Sequence, residues 1–282
     1  MVMKKIVNNI LFLSAGLVSI GISSCYKKFD PKSYAPPLNI GGFTSTKEIS
    51  PANLVGYWAF DGNLIDSVSG AAATNAGTTF TQGFKKQAMQ GANNAYVLAT
   101  PSAAITGMQS FTITYWVNSP VNANGIVGLV NLANTSNFWG NIDMFFENGS
   151  TQDAAKFRAH ITNNGGTTEH WVAKDGMPNI FGKWTSFVLS YDNATKTFKL
   201  YVNGSLVVTD VDNNFGNLNF VNSGKLVFGT VHFQTSPSQT TGSGSQPWAS
   251  YLTGQLDEVR IYNKALPDNE VNALVKLEGR GK

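Results

Sequence analysis

Apolar, aromatic and β-branched residues alternate with polar ones or run together in twelve short stretches: 55–60, 95–99, 110–118, 125–132, 141–147, 156–162, 169–173, 184–191, 197–202, 205–210, 225–230 and 254–262. Such alternation sends successive side chains to opposite faces, so each stretch is predicted to be a strand. Asn124-Gly125, Asn148-Gly149, Asn163-Asn164-Gly165-Gly166, Asp192-Asn193, Asn203-Gly204 and Ser223-Gly224 supply turns between them. Asn203-Gly204 predicts the tightest hairpin. In the last strand Leu256, Glu258, Arg260 and Tyr262 are expected to point one way, and Gln255, Asp257, Val259 and Ile261 the other. Only residues 267–276 carry a helical period, with Pro267 at the start and Val271, Leu274 and Val275 on one face. Many short strands and one short helix predict an all-β sandwich or barrel, its first and last strands side by side.

The N-terminal pattern differs. Lys4 and Lys5 precede an apolar run from Ile10 to Ile20, too short for a comfortable membrane span, and small residues follow. Residues 1–25 are therefore expected to be a secretory leader. Its end, Ile22-Ser23-Ser24-Cys25, resembles a bacterial lipobox, which implies acylation of Cys25 and, with Tyr26 next, an outer-membrane address. Residues 26–52 hold Pro31, Pro36, Pro37 and Pro51 without periodicity and are expected to form a flexible tether. The folded domain is expected over 53–278. Composition adds that charged residues make up only 13% of the chain, and the net charge of +3 forms no basic stripe, so nucleic acid is not an expected partner. A single cysteine rules out an intrachain disulfide.

Five stations occur in order: 56-GYWAFDGNLIDSVSG-70, 83-GFKKQAMQGANNAYVL-98, 111-FTITYWV-117, 182-GKWTSFVLSYDNATKTFKLYVNG-204 and 254-GQLDEVRIYNKAL-266. Together the stations resemble the LamG-like, concanavalin A-like lectin/glucanase domain. The resemblance implies a two-sheet antiparallel jelly-roll sandwich and no particular reaction, because this fold hosts lectins, adhesion modules and hydrolases.

Three kinds of site follow. Asp61 and Asp257 are expected near one another at the sandwich edge, where they hold a structural calcium, as relatives do, or simply accept backbone N–H groups. Asn141-Ile-Asp143-Met-Phe-Phe-Glu147 partly resembles the Glu-x-Asp-x-x-Glu strand of laminarinase-type glucanases. Retaining hydrolysis needs two carboxylates about 5–5.5 Å apart on one bond. Here Asn141 stands where the first acid should be and the spacing is one residue too long, so no catalysis is expected. Lys156, Arg158 and His160 on the neighbouring strand could simply neutralise these acids. A polar sheet face bearing Asn141, Asp143, Glu147, Arg158 and His160, with Trp139, Trp171 and Trp248 at its rim, suits a polysaccharide ligand, unless those indoles only pack the rim. Either His170 or Trp171 is expected to face outward. The sequence thus leads to a non-catalytic carbohydrate-binding lipoprotein whose membrane contact is its lipid anchor. The alternatives are a protein-binding adhesion or assembly module and a divergent glycoside hydrolase.

Overall fold

A computed structural model describes residues 38–122 and 125–282. Cys25, the leader and the first part of the tether lie outside them. The chain lays down β1 (Leu54–Trp58), β2 (Thr74–Ala76), β3 (Thr79–Gln82), β4 (Gln87–Gln90) and β5 (Tyr96–Ala99), followed by the single turn of helix α1 (Ala103–Thr106). Next come β6 (Phe111–Asn118), β7 (Ile126–Asn134), β8 (Ile142–Phe146), β9 (Ala155–Asn163) and β10 (Thr168–Met177). The remainder is β11 (Thr185–Asp192), β12 (Thr197–Val202), β13 (Ser205–Val211), β14 (Ser223–Phe228), β15 (Ala249–Ser250), β16 (Gln255–Tyr262) and helix α2 (Asp268–Glu278).

These strands form two 8-stranded sheets. The first runs β13-β12-β11-β6-β16-β4-β3, with β1 also on β16, and the second β10-β9-β8-β7-β14-β5-β2, with β15 on β7. All pairings are antiparallel except β15 with β7. The fold is a jelly-roll sandwich, and its first and last strands pair, with Tyr57 opposite Arg260 and Trp58 opposite Val259. Asn203 and Gly204 turn the β12–β13 hairpin with φ of 50° and 76°, the left-handed values that this dipeptide tolerates. One core lies between the sheets. Ile113, Tyr115, Phe187, Leu189 and Ile261 of the first sheet meet Ile142, Met144, Phe146, Phe157, Ile161 and Phe228 of the second.

Two expectations need correction. Strict alternation fails in β16, because the register shifts between Asp257 and Arg260 and Glu258 adopts a φ of 52°. This β-bulge inserts one residue, so Leu256, Val259 and Ile261 all reach the core while Arg260 and Tyr262 lie on the opposite face. The second correction concerns the tether. Asn39–Lys282 forms one compact unit. Residues 46–53 fold into two short 3-10 turns, where Thr46 Oγ1 donates to the Lys282 carbonyl at 3.1 Å and Ser50 Oγ to Glu270 at 2.6 Å.

Helix α2 closes the outer face of the first sheet. Its apolar side, Val271, Leu274, Val275 and Leu277, is buried, and Glu278 is buried with it. Glu278 accepts from Arg260 and, at 2.6 Å, from Trp116 Nε1–H. Arg260 also donates to Glu258 at 2.5 Å, and its guanidinium lies 4.2 Å over the Tyr57 ring. Tyr57 O–H in turn donates to Glu258 at 3.0 Å. A buried charge needs partners of this kind.

Candidate functional site

The outer face of the second sheet carries Asp143 and Phe145 from β8, Arg158 and His160 from β9, and Glu169 and Trp171 from β10. Cross-strand register sets Asp143 opposite His160, and His160 opposite Trp171. Between Asp143 and the loops above it the face is roofed rather than open. Ile126, Phe145, Val231, Phe233 and Ala249 form a second apolar cluster, with Phe138 and Trp139 packed on it. Asn141, Asp143 and His160 are consequently buried. The open polar floor expected there does not exist, because the loops around 136–140 and 229–251 cover it.

Each covering loop is fastened by side chains. Asn134 Oδ1 accepts from Ser136 and Asn137 N–H groups at 2.9 and 3.0 Å. Asp143 Oδ2 accepts from the Gly140 N–H at 2.6 Å, and Thr162 Oγ1 donates to the Gly140 carbonyl at 2.5 Å. Thr240 Oγ1 donates to the Asn137 carbonyl at 2.7 Å, which joins the two loops. The Trp248 carbonyl accepts from Ile126 N–H at 2.9 Å. Asp143 thus positions the loop that presents Trp139. Its other oxygen lies 3.4 Å from Nδ1 of His232, and both side chains are fully buried.

Trp139 is the hub of what stays accessible. Its ring lies parallel to Phe145 at 5.7 Å, perpendicular to Trp171 at 5.5 Å, and tilted against Trp248 at 6.4 Å. Trp171 stacks on the buried His160 ring at 4.0 Å. Trp171 and Trp248 remain 38% and 39% exposed, so each offers indole surface to a ligand. Beside Trp139 a cleft of about 360 Å³ is lined by Asn137, Thr162, Gly165, Gly166 and Glu169, among others. Trp171 is the outward residue of its pair. His170 turns in, stacks on Phe198 at 4.1 Å, and faces Asp210 and Asp212 at 3.1 and 3.2 Å.

Carboxylates elsewhere are committed. Glu147 faces Arg158 at 3.7 Å, and Arg158 also holds Asp175 at 2.5 Å. With Asp143 sealed and Glu147 paired, these two acids do not flank a shared open cleft. At the sandwich edge Asp61 Oδ1 accepts from the Gln87 N–H at 3.1 Å and Oδ2 from Lys86 Nζ at 2.8 Å. Asp257 accepts from the Lys85 N–H at 3.0 Å and from its neighbour Glu258 N–H at 2.8 Å. Burial pushes the Asp257 carboxyl up to about 8. A calcium ion here would have to displace the Lys86 ammonium, and no cluster of three or more metal-ligating side chains occurs among the described residues.

Sequence reasoning missed Glu169, Asn137, Phe233 and the buried His232. Glu169 was marked by its place two residues before Trp171, on the same face of one strand. The others depend on loops that only the fold brings together.

A laminin G-type model of the concanavalin A-like lectin/glucanases superfamily matches residues 91–272. The chain belongs to this superfamily. Its matched span runs from the end of β4 into α2, and so contains the whole Trp139 cluster. Among solved structures, the superfamily member is similar to the botulinum neurotoxin serotype G binding domain, at 16% identity and a TM-score of 0.58, covering 80% of this chain and 51% of that one. It is similar to the binding domain of Paraclostridial Mosquitocidal Protein 1, with 16% identity, a TM-score of 0.57 and coverage of 79% and 52%. It also resembles domain 4 of AbnA, a GH43 extracellular arabinanase from Geobacillus stearothermophilus, in complex with arabinotriose. There the identity is 18%, the TM-score 0.52 and the coverage 79% of this chain and 98% of that domain. The chain spans about half the length of the toxin binding domains. At these identities the likeness is one of fold. No curated protein matches the sequence.

Proposed function

We propose that this protein is a non-catalytic carbohydrate-binding module that holds polysaccharide at the cell envelope, anchored by a lipid on Cys25 in the outer membrane. One observation carries the reading: the exposed Trp171 and Trp248 both pack against Trp139, and Trp139 itself lines a cleft edged by amide, hydroxyl and carboxylate groups. Indole faces cover the apolar faces of sugar rings, and polar groups at the edge take their hydroxyls. The AbnA domain, structurally alike over nearly its full length, is described in complex with arabinotriose, which supports a sugar ligand for a module of this size. The absence of catalysis is supported by the sealed position of Asp143 and by the Glu147–Arg158 pair.

A glycan array probed with the purified protein tests the reading. Binding to a coherent class of polysaccharide, reduced by Trp171→Ala, is the expected result. A folded protein that binds no glycan would overturn it and favour a protein-binding module. Cys25→Ser is expected to release the protein from the membrane fraction. Retention of that variant in the membrane would refute the lipid anchor.

A further inference from the structure

The Trp139 cleft has a charge pattern that narrows the ligand class, an inference that rests on the carbohydrate reading above. Ser136, Asn137, Phe138, Trp139, Thr162 and three glycines supply most of its lining, and all are uncharged. Glu169 is the exception. Its side chain is 57% exposed, and one carboxylate oxygen accepts from Nε2 of His160 at 2.9 Å. That imidazole does not cancel the charge. Burial is the largest influence on His160 and outweighs the neighbouring acids, so its pKa lies below the ordinary histidine value and the ring donates as a neutral group. Arg158, two residues earlier on the same face of β9, is already held by Glu147 and Asp175.

An anionic sugar laid beside Trp139 would therefore meet a carboxylate, with no lysine or arginine in the cleft wall to offset it. Over residues 38–282 the chain carries 15 lysines and arginines against 16 acids, so the domain has almost no net charge to attract or repel anions at long range, and rejection has to be a local property. A neutral sugar meets no such penalty, and its hydroxyls can donate to Glu169 in charge-assisted hydrogen bonds.

We propose that the cleft between Trp139 and Glu169 takes uncharged polysaccharide, and that Glu169 is the residue that excludes chains bearing uronate, sialate or sulfate groups. Glu169 is half-exposed on β10 and holds no loop in place, and glutamine at this position keeps an acceptor for His160 Nε2, so Glu169→Gln tests selectivity rather than folding.

The experiment is affinity electrophoresis of the purified protein through gels containing neutral polysaccharides (arabinan, xyloglucan, mannan, mixed-linkage glucan) or acidic ones (polygalacturonate, alginate, chondroitin sulfate), at low and high salt. Retardation by at least one neutral polymer is expected, with acidic polymers at least tenfold weaker at low salt. Glu169→Gln should narrow that ratio with an unchanged thermal midpoint, and Glu169→Lys should narrow it further with a lowered midpoint, because lysine leaves the buried His160 Nε2 without its partner. The proposal is overturned if wild-type protein binds acidic polymers as tightly as neutral ones, or if neither substitution alters the ratio. Silence toward both classes from a folded protein overturns the carbohydrate reading itself, and so is distinct from a failure of selectivity alone.

Discussion

Truncating Glu278 to alanine should destabilise the domain heavily while leaving its ligand site intact. Glu278 is 2% exposed and lies between Arg260 and the Trp116 indole, both buried under α2. Without its carboxylate, Arg260 retains only Glu258 as an anionic partner, and the Trp116 N–H loses its acceptor. Removing one partner of a buried ion pair costs about 3–5 kcal/mol, because the remaining charge has already left water. A domain of this size loses roughly 2–4 °C of Tm per kcal/mol, so the midpoint should fall by about 6–20 °C. Glu278→Gln keeps an acceptor for Trp116 and gives up only the charge, so its loss should be smaller. Urea denaturation followed by tryptophan fluorescence, with calorimetry for Tm, measures both variants. The network lies on the outer face of the first sheet and the Trp139 cluster on that of the second, so glycan affinity should be unchanged at a temperature where the variant is folded. A loss below about 1 kcal/mol for Glu278→Ala would show that water reaches Arg260 and would refute the reasoning.

Two further outcomes follow from the structure. Burial raises the Asp257 carboxyl from 3.8 to about 8, so the folded protein keeps this proton over a range in which the unfolded chain releases it. Its contribution to stability is therefore full below the unfolded value and is lost as pH rises toward about 8. Urea midpoints between pH 5 and pH 9 should show that decline, and Asp257→Asn should flatten it. Calcium bound at Asp61 and Asp257 would keep the carboxylate ionised and erase the decline, so repeating the series with calcium and with chelator tests the metal directly. Gly125→Ala should lower both stability and glycan affinity, since Gly125 has a φ of 78° and a Cβ there would strike the Trp248 carbonyl. A variant with native Tm and native affinity would contradict that placement of Trp248.

Much of the fold was legible because strands at 111–118, 142–146 and 185–192 alternate or run apolar, and because Asn203-Gly204 specifies its turn chemically. The strands β2, β3 and β4 were not, since Thr74–Ala76 and Thr79–Gln82 are short, polar and half-exposed, and they owe their extended form to pairing with β5 and β4. The bulge at Glu258 could not be read either. A non-glycine residue at positive φ is tolerated there because Glu258 is held by Tyr57 and Arg260, contacts that span up to 201 residues of sequence. At the candidate site the alternation correctly put Asn141, Asp143 and His160 on the face opposite the core. It could not show that Phe233, Phe138 and Trp139 would roof that face, because such packing depends on loops joined only in three dimensions. The indoles were visible in the sequence; their common dependence on Trp139 was not.

The most direct test of the account is the affinity of the purified protein for its best array ligand, measured by isothermal titration for wild type, Trp171→Ala and Trp248→Ala. The account predicts that each variant retains its fold and loses at least tenfold in affinity, about 1.4 kcal/mol. Unchanged affinity in both variants would place the sugar elsewhere on the domain and contradict the assignment of the Trp139 cluster as the binding site.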